Sequence, residues 1–367
     1  MLDTAGWSTK HVGQALHHDR KQNVANSISW DEWAPGYNGR KAIAYDAVRA
    51  VLQRKNQPIE SWSCRDSNCK KNMNTSSYCL SEGCHVDKTR CFGHGGATWR
   101  YFAQHSRLPN NLVQQRLGVA FNANIALVRI MVRHHHIAGN DPYDTFDATA
   151  EFLEEGLRWV LQHHVTHNIT VVSIGTVDTT KTPQRNENNC RLNTPVITQP
   201  DLSPLIQALL KQNIVLIGSA GNVDTQMKRY EDHDFDEVGQ GLCFPGVQEG
   251  IIAVSAQFNV HSTQDTCVRG QGNRLMRLDC KNCKVKLIIC EDIGITSAAV
   301  PVFAGFVTIL LEAITKIGFN WNKEGKTMSE AVENIFHRTG DPLMTPCENC
   351  DIRCVNISKA LYEVVGF

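Results

Sequence analysis

The chain lacks an excess of charge of either sign: 37 lysines and arginines balance 37 aspartates and glutamates. A neutral chain has no broad basic field to hold phosphate backbones or anionic lipid, so nucleic-acid binding and electrostatic membrane attachment are not expected. Long hydrophobic runs are also missing. No uninterrupted apolar segment reaches the roughly 20 residues that a spanning helix needs. The longest candidate, near Ile293–Leu311, is broken by Thr296, Ser297, Pro301, Gly305 and Thr308, and reads as a buried core helix. The opening residues Met1 to Gly6 lack the basic and apolar regions of a signal peptide. The chain therefore reads either as cytosolic or as the later part of a longer precursor. Internal repeats are absent, and no linker is long enough to separate a second domain.

What is present is an ordinary globular composition, 42% hydrophobic and 20% charged. Residues 1–367 read as one catalytic-size domain carrying a Cys-rich insertion at about 35–90. Cysteines number 14. Cys64, Cys69, Cys79, Cys84 and Cys91 form one cluster. Cys280, Cys283, Cys347 and Cys350 form another, with Cys290 and Cys354 nearby. Disulfides in an oxidising compartment are the favoured reading, and zinc thiolate sites are the other. The sequons at Asn74, Asn168 and Asn356 lean the same way, towards the secretory pathway.

Apolar patterning alternates between periods of two and of three to four. Strands are expected at 124–132, 169–174, 213–219 and 251–256. Helices are expected at 41–54, 147–164, 203–212, 298–317 and 329–337, with Ser203 as a cap and Pro204 in the first turn. Alternating strands and helices predict an α/β fold: a doubly wound, mainly parallel sheet with helices on both faces. Sites in such sheets form at the carboxyl ends of strands.

Several residues there could do chemistry. Ser297 sits among small residues before a nearly all-apolar helix, which would hold a hydroxyl rigidly beside free amides. His94 lies between glycines in Gly93-His94-Gly95, open to close approach. Asp3 stands before a glycine turn. Asn222 ends the apolar run 214–222 with a side-chain amide able to donate. The tract His134-His135-His136 has no second ligand set at matched spacing, and metal binding is not expected there. Taken together, Ser297, His94 and Asp3 supply a hydroxyl, a base and an orienting carboxylate.

In combination the sequence resembles the subtilases, the subtilisin-like serine proteases. Thr296-Ser297-x-Ala299-x-Pro301, with Gly305 beyond, resembles the nucleophile motif G-T-S-M-A-x-P. Gly93-His94-Gly95 resembles the histidine motif, Asp3-Thr4 the aspartate motif, and Ser219-Ala220-Gly221-Asn222 the oxyanion segment A-A-G-N. The stretches 118–125, 172–175 and 244–256 resemble the strand entries between these motifs. The likeness covers roughly 90–320 and the first six residues. It departs at Ile295, where the family has glycine, at Gly96 to Trp99, and over Cys267–Cys290.

The resemblance implies a subtilisin-like fold and a serine endopeptidase acting through an acyl-enzyme. Asp3, His94 and Ser297 would form the triad, and Asn222 the oxyanion donor. Ser173, Ile174 and Gly175 would pair with an extended polypeptide substrate, while Ser219, Ala220 and Gly221 wall the primary pocket. It implies no organic cofactor. Calcium is common in the family, with no ligand set identifiable here, and a pro-segment inhibitor is a further expected partner. The alternative, resting on the departures, is a catalytically impaired subtilase-like protein that binds peptides.

Overall fold

The period-two and period-3.6 patterns resolve into strands and helices in the computed structural model, which describes residues 2–3, 34–35, 41–56, 119–120, 123–138, 141–175, 201–221, 242, 244–259, 273–275, 283–290, 296–343 and 349–366. In chain order the strands are β1 (Leu2–Asp3), β2 (Ala34–Pro35), β3 (Lys41–Asp46), β4 (Ile125–Arg129), β5 (Met131–Ala138), β6 (Asp141–Ala148), β7 (Val171–Ile174), β8 (Val215–Ser219), β9 (Ile251–Asn259), β10 (Asn273–Leu275), β11 (Leu287–Ile289), β12 (Asp341–Pro342) and β13 (Arg353–Cys354). The helices are α1 (Ala47–Arg54), α2 (Ala150–His167), α3 (Ser203–Lys211), α4 (Thr296–Ile317), α5 (Met328–Thr339) and α6 (Ile357–Val365).

The main sheet runs β12-β13-β11-β9-β8-β7-β1-β4-β3-β2, with β10 pairing β9. From β13 to β3 every neighbouring pair is parallel; β2, β10 and β12 are antiparallel additions. Strand β1 has two residues, yet it is hydrogen-bonded on both sides, to β4 and to β7. A separate antiparallel ribbon joins β5 to β6 and carries His134, His135 and His136.

Alternation along the strands sets the layers. Leu216 joins Val172, Ile174 and Ile251 in a core cluster with Leu52, Leu157 and Ile206 of α1, α2 and α3. Val215 and Ile217 join Ile252, Val254, Leu287 and Ile289 in a second cluster, with Phe303, Phe336 and Val364 of α4, α5 and α6. Helices therefore cover both faces, three on each, among the described residues. The fold is the α/β, mainly parallel architecture expected.

Capping fixes where helices begin. Thr149 caps α2, its hydroxyl accepting from the Phe152 amide at 3.3 Å, and Asn168 closes it in the left-handed region at φ 51°. Asp46 caps α1 by accepting from the Arg49 amide at 2.9 Å. Ser203 does not cap α3. Leu202 precedes that helix without a side-chain bond, and Ser203 instead donates its amide to Asp201, while Pro204 does lie in the first turn.

The helix expected over 41–54 is strand β3 followed by helix α1. Pro35 and residues 41–56 thus belong to the main sheet and its covering layer, and the rest of the stretch taken as inserted, 36–40 and 57–90, lies outside the described residues. Helix α4 is long and apolar enough to cross a membrane, but most of it is buried within the protein. It is the buried core helix expected.

Candidate active site

Register brings Asp3 and Ser219 to one edge of the sheet. Leu2 pairs with Val128 and with Ile174, Ile174 with Gly218, and Gly218 with Ala253. One residue further along lie Asp3, Arg129 and Asp46 on one side, and Ser219 and Val254 on the other. All of these strands are parallel, so this row is their carboxyl edge. Asp3 and Ser219 stand two strands apart, about 10 Å at the usual strand spacing.

Ser297 is the second residue of α4 and is 5% exposed. Its Oγ has no hydrogen-bond partner among the described residues. The neighbouring Thr296 is fully buried, and its Oγ1 lies 2.6 Å from Ser219 Oγ, where either hydroxyl can donate. Ser219 Oγ also accepts from the Gly221 amide at 3.3 Å. The start of α4 is thereby fastened to the outlet of β8. Gly221, just before Asn222, has φ 100°, a conformation that glycine adopts freely.

Pro301 follows Ser297 by four residues inside α4, so the helical bond it deletes is the one to the Ser297 carbonyl. Gly305, one turn on, lets the chain at Val119 and Ala120 approach: a Cβ there would meet Val119 Cβ at 2.6 Å. Two segments singled out in the sequence, 118–125 and 296–305, are thus packed together.

Not all of the site is described. His94 and Asn222 lie outside the described residues, and of Asp3 only the backbone is described. Ser173 and Ile174 are buried within β7. Both pair with β8, and Ile174 also with β1. Ile174 is thus paired on both sides, and Gly175 is the first residue past the ladder. Ser219, Ala220 and Gly221 are buried at the β8 outlet.

One feature escaped the sequence reading. Arg129, 7% exposed, places Nη1 3.1 Å from Asp46 Oδ2 at this same edge. The signal was available: a lone arginine at the end of an otherwise apolar strand.

The late cysteines pair as Cys283–Cys350 and Cys290–Cys354, with Cα separations of 5.2 and 5.6 Å. These are disulfides, the favoured reading; Cys280 and Cys347 lie outside the described residues. Among the described residues no group of three or more His, Cys, Asp or Glu could hold a metal ion, so the calcium expectation has no donor set there. Of the sequons, Asn356 uses its side chain structurally. It accepts from the Lys359 amide as the cap of α6 and donates to Asp341.

No protein-family model matches the sequence, and no curated protein matches it. Solved structures with a similar course of chain include the prenylagaramide maturation protease PagA, at 17% identity and TM-score 0.45, covering 74% of this chain and 82% of that one. The patellamide maturation protease PatA is similar at 16% identity and TM-score 0.45, covering 74% and 84%. The self-cleaved protease domain of PatA is similar at 16% identity and TM-score 0.44, covering 74% and 83%.

Proposed function

We propose that this chain is a serine endopeptidase that hydrolyses peptide bonds through an acyl-enzyme. The observation that carries the reading is Ser297. Its hydroxyl is buried and without a partner among the described residues, in the first turn of a core helix tied to the sheet's carboxyl edge. Asp3 ends β1 at that same edge. A buried hydroxyl without a partner is costly unless another group uses it.

In the proposed reaction His94 takes the Ser297 proton as Oγ attacks the substrate carbonyl, then returns it to the leaving amine. Water repeats the sequence to release the acyl group. Asp3 holds the imidazole tautomer and stabilises the imidazolium. The Asn222 side-chain amide and the Ser297 backbone N–H stabilise the oxyanion. An extended polypeptide lies along the chain leaving β7 from Gly175 onward, with its side chain against Ser219 to Gly221.

The test is labelling of the folded, full-length protein with a fluorophosphonate probe, wild type beside Ser297→Ala. Labelling of wild type alone is expected. Absence of Ser297-dependent labelling overturns the endopeptidase reading. It leaves the peptide-binding alternative, which the departures at Ile295 and at Gly96 to Trp99 favour.

A further inference from the structure

The carboxyl edge holds a second charged feature beside the proposed triad. Arg129 on β4 is the register partner of Asp3 on β1, and Asp46 on β3 is the register partner of Arg129. Neighbouring positions in such a rung lie about 4.8 Å apart. Three charged positions of alternating sign therefore stand in one row. Arg129 and Asp46 are 7% and 8% exposed, and they form an ion pair at 3.1 Å. Arg129 Nε also donates to the Met131 carbonyl at 3.3 Å, which fixes the fork.

Burying such a pair is a poor route to stability, since an apolar side chain usually serves as well. The preceding residues of β4 are apolar, and a leucine would suit this position. Helix capping accounts for Asp46, through its bond to the Arg49 amide. It does not account for a buried arginine. The third position of the rung is Asp3.

We infer that Arg129, held by Asp46, is a positioning residue for the triad: its cation keeps Asp3 ionised, and Asp46 offsets that cation so that the His94 imidazolium formed during acyl transfer is not opposed. The inference rests on the triad reading. A lone cation beside Asp3 would favour its carboxylate but would also resist imidazolium formation. The paired arrangement keeps the first effect and limits the second.

The charged and titratable groups around the pair are few among the described residues. Arg49 lies in the first turn of α1. Tyr45, which precedes Asp46, donates to Glu155, and Glu155 pairs with Arg54. Tyr45 stays protonated through the neutral range, because burial and its bond to Glu155 both push its pKa up. Trp159 stacks on Tyr45, and His163 and His167 stack on Trp159 in turn, so two histidines face this network from α2.

The experiment follows the rate of fluorophosphonate labelling at Ser297 against pH, in the full-length chain. The acid limb reports loss of the imidazole base. Arg129→Met leaves the Asp46 carboxylate uncompensated, which favours imidazolium, so the limb moves to higher pH. Asp46→Asn leaves the arginine uncompensated, so the limb moves to lower pH. Each shift is expected to be about half a pH unit. Asparagine still caps α1. Arg129→Lys keeps the charge and should hold the limb in place. A purely structural role slows labelling in every variant without moving the two limbs in opposite directions. Limbs that stay put, or move the same way, overturn the inference. If Arg129→Met does not fold, Asp46→Asn reads the sign alone, and a limb unmoved or moved upward overturns it. A wild type never labelled at Ser297 overturns the triad reading, and this inference with it. A labelled wild type with unmoved variants overturns this inference alone.

Discussion

The hydroxyls of Thr296 and Ser219 meet at 2.6 Å, joining the first residue of α4 to the last residue of β8. Thr296→Val keeps the branched shape and deletes the hydroxyl. Ser219, 2% exposed, then loses one of its partners. The expected cost is about 1–2 kcal/mol, read as a lower midpoint in denaturant unfolding. Labelling of Ser297 should slow by more than stability explains, because the helix that carries it is no longer fastened to the sheet. Thr296→Ser should restore both. Equal midpoints for Thr296→Val and wild type would remove the tie from the stability of the fold.

Tyr45 gives a pH signature. Its ring stacks on Trp159 at 5.2 Å, and its hydroxyl donates to the buried Glu155. Burial first, then that hydrogen bond, raises its pKa above the ordinary 10.0. The sign follows directly. Up to the unfolded pKa the protonated phenol stabilises the fold fully. Above it the unfolded chain ionises first, so stability is lost as pH rises towards the folded pKa. Tyr45→Phe keeps the stack but leaves a Glu155 oxygen short of a donor, at about 1–3 kcal/mol near neutral pH. Unfolding measured across pH should show that difference shrinking above about pH 10. A constant difference would place the stabilisation elsewhere than in the phenolic proton.

Gly305 is held to its identity by Val119. A Cβ at Gly305 would stand 2.6 Å from Val119 Cβ and 2.8 Å from its Cγ1. Gly305→Ala gains helix propensity but overpacks the contact, and a net loss of about 1–3 kcal/mol is expected. Adding Val119→Gly removes both clashing atoms and should recover part of that loss. Additive costs in the double variant would show that the two residues do not press on each other.

The sequence made the long elements legible because their apolar periods are unbroken. Helix α4 and strands β8 and β9 are examples, each with its buried positions in register with a core cluster. Short elements were not legible. Strand β11 has three residues and lies in a cysteine-rich stretch, and only its pairing with β9 and β13 makes it a strand. Residues 41–46 read as the start of a helix because Asp46 caps α1 without a break in composition. Ser297, Asp3 and the β8 outlet were singled out from local motifs, and β1, β8 and the start of α4 are where those motifs fall. The Asp46–Arg129 pair was not singled out, since it joins residues 83 apart through sheet register.

The disulfides could be suspected from cysteine spacing but not paired, because the pairing follows from β13 lying beside β11. Cys283–Cys350 and Cys290–Cys354 close loops of 67 and 64 residues in sequence separation. They run side by side, so their contributions are not those of two independent long loops. Once one is formed, the other closes only the short path between Cys283 and Cys290 and between Cys350 and Cys354. In the chain-entropy treatment the first closure contributes about 4 kcal/mol and the second about 3 kcal/mol. Replacing one pair by serines should therefore cost about 3 kcal/mol, and replacing both about 7 kcal/mol, in denaturant unfolding. Either single-pair variant keeps β13 on β11, and with it the floor of the cluster formed by Val285, Ile288 and Ile352. The variant lacking both should also lose Ser297 labelling sooner on heating, because Cys290 lies only seven residues before Ser297. If either single-pair variant loses as much stability as the one lacking both, the remaining bridge contributes nothing by itself and the chain-entropy account fails.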